Sequence, residues 1–88
     1  MRYKIIDAYP QHNVKRYIAK CLKQQSPQFI IIESARTLCK ELDIIDVNHQ
    51  SAQATWATGE KIALNILESS DSLDKIYDLD AQFIYCNR

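Results

Sequence analysis

Apolar positions along this chain follow two periods. From Arg2 to Ala8 they alternate, with Tyr3, Ile5 and Asp7 on one face and Lys4, Ile6 and Ala8 on the other. That pattern predicts a strand, which Pro10 ends. From Asn13 the spacing changes. Val14, Tyr17, Ile18, Cys21 and Leu22 fall at i, i+3, i+4, i+7 and i+8. This stripe predicts a helix from an Asn13 N-cap to about Gln24. Arg16, Lys20 and Lys23 lie on its opposite face, with Lys15 beside them.

Ser26-Pro27 is a second start signal, because Ser supplies a capping oxygen and Pro fits the first helical position. Ile31, Ala35, Leu38 and Leu42, widened by Ile32 and Cys39, extend a stripe that predicts a helix over Pro27 to Leu42. The β-branched run from Phe29 to Ile32 also suits a short buried strand, so residues 28–32 stay open between the two. A polar connection, Asp43 to Gln50, leads to a third predicted helix, Ser51 to Glu68. Its inward face is Trp56, Gly59, Ala63, Ile66 and Leu67. Gly59 either marks a close backbone approach or breaks this helix in two.

Lys75 to Leu79 and Phe83 to Cys86 are apolar arms around Asp80-Ala81-Gln82, and they predict a C-terminal β-hairpin. The expected fold is therefore α+β: three helices packed on one face of a small sheet, in the order β-α-α-α-β-β.

Composition supports a globular chain. Its 88 residues predict a single domain spanning 1–88, and 47% hydrophobic with 25% charged residues excludes a disordered one. One Gly and two Pro leave few sharp turns, which favours helices over a many-stranded barrel. Cys21, Cys39 and Cys86 are odd in number and widely spaced. They read as reduced thiols of a cytoplasmic protein, packed as small hydrophobes. The N-terminal run is interrupted by Asp7 and Pro10, so it does not read as a signal peptide. The longest apolar run, Phe29 to Ile32, is too short to span a bilayer.

Net charge is zero, but its distribution is uneven. Met1 to Leu42 holds eight basic and three acidic residues, for +5. Asp43 to Arg88 holds three basic and eight acidic residues, for −5. This is a charge dipole along the chain.

The sequence contains no Gly-rich phosphate loop, no G-x-S-x-G and no H-E-x-x-H. Its three Cys, with His12 and His49, lack the close pairing of zinc ligands. No catalytic, metal or cofactor site is expected, and the chain reads as a non-enzyme. The candidate binding surface is Lys15, Arg16, Lys20, Lys23, Arg36 and Lys40, an electrostatic footprint for an acidic partner. Trp56 reads as a core anchor.

The segment SARTLCKELDI, Ser34 to Ile44, has the small-residue start and Leu spacing of the first helix in a helix-turn-helix pair. With the predicted third helix and hairpin, Ser34 to Tyr85 resembles the trihelical core and wing of winged-helix DNA-binding domains, at the level of pattern. The resemblance implies a recognition helix offering Gln53, Thr55, Thr58 and Lys61 to the major groove. Asp74, Asp78 and Asp80 would then sit on the wing, facing phosphate.

The expected function is thus a small binding or regulatory protein, an accessory regulator or inhibitor of phage or plasmid type. It would contact an acidic protein surface or self-associate through its charged halves. A winged-helix-like DNA-binding regulator is the alternative.

Overall fold

The structure is a computed structural model. It describes residues 2–11, 13–35, 38, 43–48, 51–55, 59 and 61–86; for 10, 11, 43–48, 51–55 and 83–86 only the backbone is described. Six strands precede one helix: β1 (Tyr3–Gln11), β2 (Val14–Cys21), β3 (Phe29–Ser34), β4 (Asp43–Asn48), β5 (Ser51–Thr55), β6 (Lys61–Ser70) and α1 (Leu73–Cys86). The strands close into an antiparallel barrel of order β1-β2-β3-β6-β5-β4, with β4 returning to β1 through Tyr3↔Ile44 and Lys4↔Asp43.

The expected fold of three helices on a small sheet is overturned. Asn13 lies in the turn between β1 and β2, and the stripe read as the first helix is β2. Residues 29–34 of the predicted second helix are β3, which settles the question left open at 28–32. The predicted third helix is replaced by β5 and β6, with exposed Gly59 between them at φ +89, a conformation that favours glycine. The predicted terminal hairpin is α1. Among the described residues neither the trihelical core nor the wing of a winged-helix domain is present, so that resemblance fails as well. Cys39, His12, His49 and Trp56 lie outside the described residues.

The cause of these inversions is visible in the burial pattern. One cluster fills the barrel interior: Tyr3, Ile5, Tyr17, Ala19, Cys21, Ile30, Ile32, Leu38, Ile62, Leu64 and Ile66. A second lies on the outer face, where Ile18, Phe29 and Ile31 meet Ile76 of α1, with Leu67 and Leu79 against them. Strands covered on both faces bury consecutive residues, Arg16 to Ala19 in β2 and Phe29 to Ile32 in β3. With both faces apolar, residues on opposite faces can fall at helical spacing, as Val14, Tyr17, Ile18 and Cys21 do, and so imitate a helical stripe. In β6 the cue was cleaner. Ile62, Leu64 and Ile66 are buried while Lys61, Ala63 and Asn65 are exposed.

α1 forms because Ser72 caps it. The Lys75 amide donates to Ser72 Oγ at 3.4 Å, and the Ile76 amide donates to the Ser72 carbonyl at 3.1 Å. Asp74 in the first turn complements the helix dipole. Ile76 and Leu79, on one side, meet the sheet. The helix start is tied to the β2–β3 turn by Asp71, whose Oδ1 accepts from Ser26 Oγ at 2.8 Å and from the Gln28 amide at 3.0 Å. The Ser26-Pro27 peptide in that turn is cis.

Two bulges set which side chains meet α1. In β1 the register slips between Ile5 and Asp7, so Asp7, not Ile6, stands opposite Ile18 on the outer face. Without the slip Asp7 would face Tyr17 in the barrel interior. Its Oδ1 accepts from the Ala8 amide at 2.8 Å, closing the bulge locally. In β6, Ile32 pairs with Ile66 but Ile31 pairs with Glu68, and the extra Leu67 packs on the helix side.

Candidate functional site

The predicted basic surface is partly dispersed by the strand. Lys15 stands opposite Pro10 and Ser34 at one end of β2, and Lys20 stands opposite Lys4 and Phe29 at the other. Five residues of strand separate them by about 17 Å. Arg16 is 4% exposed, with Nε 3.7 Å from Glu33 Oε2. It is therefore part of the packed sheet and not of an open surface. Arg36 and Lys40 lie outside the described residues.

Lys20 and Lys23 remain exposed, and two residues not included in the predicted surface join them. Exposed Arg2 precedes β1, and its carbonyl accepts from the Leu22 amide at 3.0 Å. Lys4 of β1 is the direct cross-strand partner of Lys20, with Asp43 opposite it on the β4 side. Two cations therefore stand directly opposite each other at this end of the sheet. A signal for the grouping existed in the sequence, because a hairpin about Asn13 brings Arg2 and Lys4 level with Lys20 and Leu22.

The large exposed apolar side chains of the described residues adjoin this basic end. Leu22, 50% exposed, is bonded through its amide to Arg2. Ile6 is the bulged residue of β1, two positions from Lys4. Tyr77, 42% exposed, reaches β1 by donating from its hydroxyl to Asp7 Oδ2 at 3.1 Å. Leu73 is one helical turn before Tyr77, on the same side of α1. A basic rim and an apolar seam thus run side by side, bordered by the exposed carboxylates of Asp74 and Asp78.

Beneath the seam lies Asp80, 5% exposed, whose Oδ1 has no hydrogen-bond partner among the described residues. Burial, and then the neighbouring Asp7 carboxylate, push the Asp80 carboxyl up to about 6. Burial and the hydrogen bond to Asp7 likewise raise the Tyr77 hydroxyl above its usual value. The bulge that keeps Asp7 out of the barrel places it beside this second carboxyl.

At the other end of the barrel an open depression of about 320 Å³ is lined by Ser34, Ala35, Lys61, Ile62 and Ala63. Among the described residues its lining holds no pair of groups positioned for acid–base chemistry. Cys21 is a free thiol enclosed in the barrel interior. Among the described residues, no three His, Cys, Asp or Glu side chains are grouped to hold a metal ion. No helix there is long and apolar enough to cross a membrane. No family model matches this chain, and no curated protein or solved structure does either.

Proposed function

We propose that this chain is a small non-enzymatic binding protein that contacts an acidic protein segment through the end of its barrel at the β2–β3 turn. The observation that carries the reading is the convergence of Arg2, Lys4, Lys20 and Lys23 beside exposed Leu22 and Ile6. Cations there steer an acidic partner in, and the apolar side chains supply the contact area that holds it. The flanking Asp74 and Asp78 argue against a nucleic acid, because a continuous phosphate backbone laid over the seam would meet them. A short protein segment mixing carboxylates and leucines avoids that repulsion.

The test compares two labelled probes, a peptide of interspersed Glu and Leu and a duplex oligonucleotide, across a salt series. Peptide binding should weaken at least tenfold in Lys20→Glu/Lys23→Glu, with little change in Lys61→Glu at the opposite end. Tighter binding of the duplex would replace the protein partner with nucleic acid. No binding of either probe at low salt would end the reading.

A further inference from the structure

The docking surface has an acidic, partly apolar counterpart on the same molecule. Along the outer side of α1, Asp74 and Asp78 are exposed one turn apart, flanked by exposed Leu73 and Tyr77. The facing requirement is met by Lys20, Lys23 and Leu22, all exposed at the β2–β3 turn end. The two sets lie side by side: the row Lys4–Lys20–Phe29–Ser70 crosses four strands and leads directly into Asp71 and α1. Neighbouring patches of opposite charge on one surface are self-complementary under a two-fold rotation, which places each patch over the other's copy. A chain of zero net charge meets no overall repulsion in doing so.

We infer that a second copy of this chain occupies the surface, closing a two-fold dimer in which Asp74 and Asp78 of each copy face Lys20 and Lys23 of the other. Leu22, Leu73 and Tyr77 form the apolar centre, and the charges form its rim. The inference rests on reading the β2–β3 turn end as a docking surface, and it makes α1 the resident competitor of any acidic partner. Binding of such a partner and dimerisation are then mutually exclusive.

Charge reversal tests the pairing. Two variants are prepared, Lys20→Glu/Lys23→Glu and Asp74→Lys/Asp78→Lys, and circular dichroism verifies that both fold. Sedimentation should show the wild type at twice the monomer mass at low ionic strength, falling to monomer near about 1 M salt. Each variant alone should be monomeric, since like charges now face each other across both halves of the interface. An equimolar mixture of the two should recover the doubled mass, because both contacts of the mixed dimer are again complementary. A wild type that stays monomeric, or a dimer that survives in either variant, would overturn the inference. If the wild type is monomeric yet binds the Glu/Leu peptide, the docking surface stands and the self-association alone fails. If Leu22→Asp, which leaves every charge pair in place, does not weaken the dimer, the apolar centre is misassigned.

Discussion

Tyr17 and Asp80 are both polar side chains held out of solvent, and they are satisfied differently. Tyr17 lies within the barrel, where its Oη accepts from the Leu38 amide at 2.7 Å. Tyr3, also interior, donates its hydroxyl to the Pro27 carbonyl. Both of these hydroxyls thus pair with backbone. On α1, by contrast, Asp80 Oδ1 is buried with no hydrogen-bond partner among the described residues. Among the described residues the interior is lined by apolar side chains, these two hydroxyls and the Cys21 thiol, whereas the outer face mixes Ile18, Ile31 and Ile76 with the Asp7 and Asp80 carboxylates. The barrel side of the sheet is built for stability. The helix side retains unsatisfied polarity, which marks α1 as the element held less firmly.

The sharpest way to break that contrast is to cut one isoleucine from each face. Ile32→Ala, inside the barrel, should cost about 4 kcal/mol and lower the denaturant midpoint of the entire structure. Ile76→Ala, beneath α1, should cost about 2–3 kcal/mol, with helical signal lost at lower denaturant than strand signal. Equal losses with coincident transitions would show the two faces to be one cooperative unit. A smaller effect is expected from Tyr17→Phe, about 1–2 kcal/mol, because the buried Leu38 amide loses its acceptor.

The subtlest difference is in pH. Because the folded protein raises the Asp80 carboxyl to about 6, it binds the proton more tightly than the unfolded chain does. Stability should therefore be highest below about pH 4, fall as pH rises to about 6, and then stay level with respect to this group. Asp7 is the charged group beside it that contributes to the shift, so Asp80→Asn should remove this slope and Asp7→Asn should reduce it. Urea melts across that pH range measure both. A wild-type slope unchanged in Asp80→Asn would assign the dependence elsewhere.

Legibility varied by element. The N-terminal strand was readable from its alternation, but not its end, since β1 runs through Pro10 to Gln11, nor the bulge that turns Asp7 outward, since a register slip depends on the partner strand. The β-branched content of Phe29–Ile32 and the alternation of Ile62, Leu64 and Ile66 pointed correctly to strands. The Ser26-Pro27 start signal outweighs the first, and the helical face Trp56, Gly59, Ala63, Ile66 and Leu67 outweighs the second. In β2, Val14, Tyr17, Ile18 and Cys21 fit a helix and a doubly covered strand alike. For the candidate site, Lys20 and Lys23 were identified from charge alone. Arg2 and Lys4 were missed because only the β1–β2 hairpin sets them opposite that pair.

What the sequence determined by itself is the amount and placement of apolar and charged material: a basic first half, an acidic second half, and enough Ile, Leu and Tyr for two buried clusters. Its Ser72 cap and the spacing of Ile76 and Leu79 also suffice to start and orient a helix. Tertiary structure decided the rest. A strand's hydrogen bonds lie with residues distant along the chain, so Arg16–Ala19 becomes strand only when β1 and β3 arrive on either side of it. The same pairing brings Lys4 opposite Lys20 and buries Arg16 beside Glu33, converting a stripe of cations into one buried residue and one basic end.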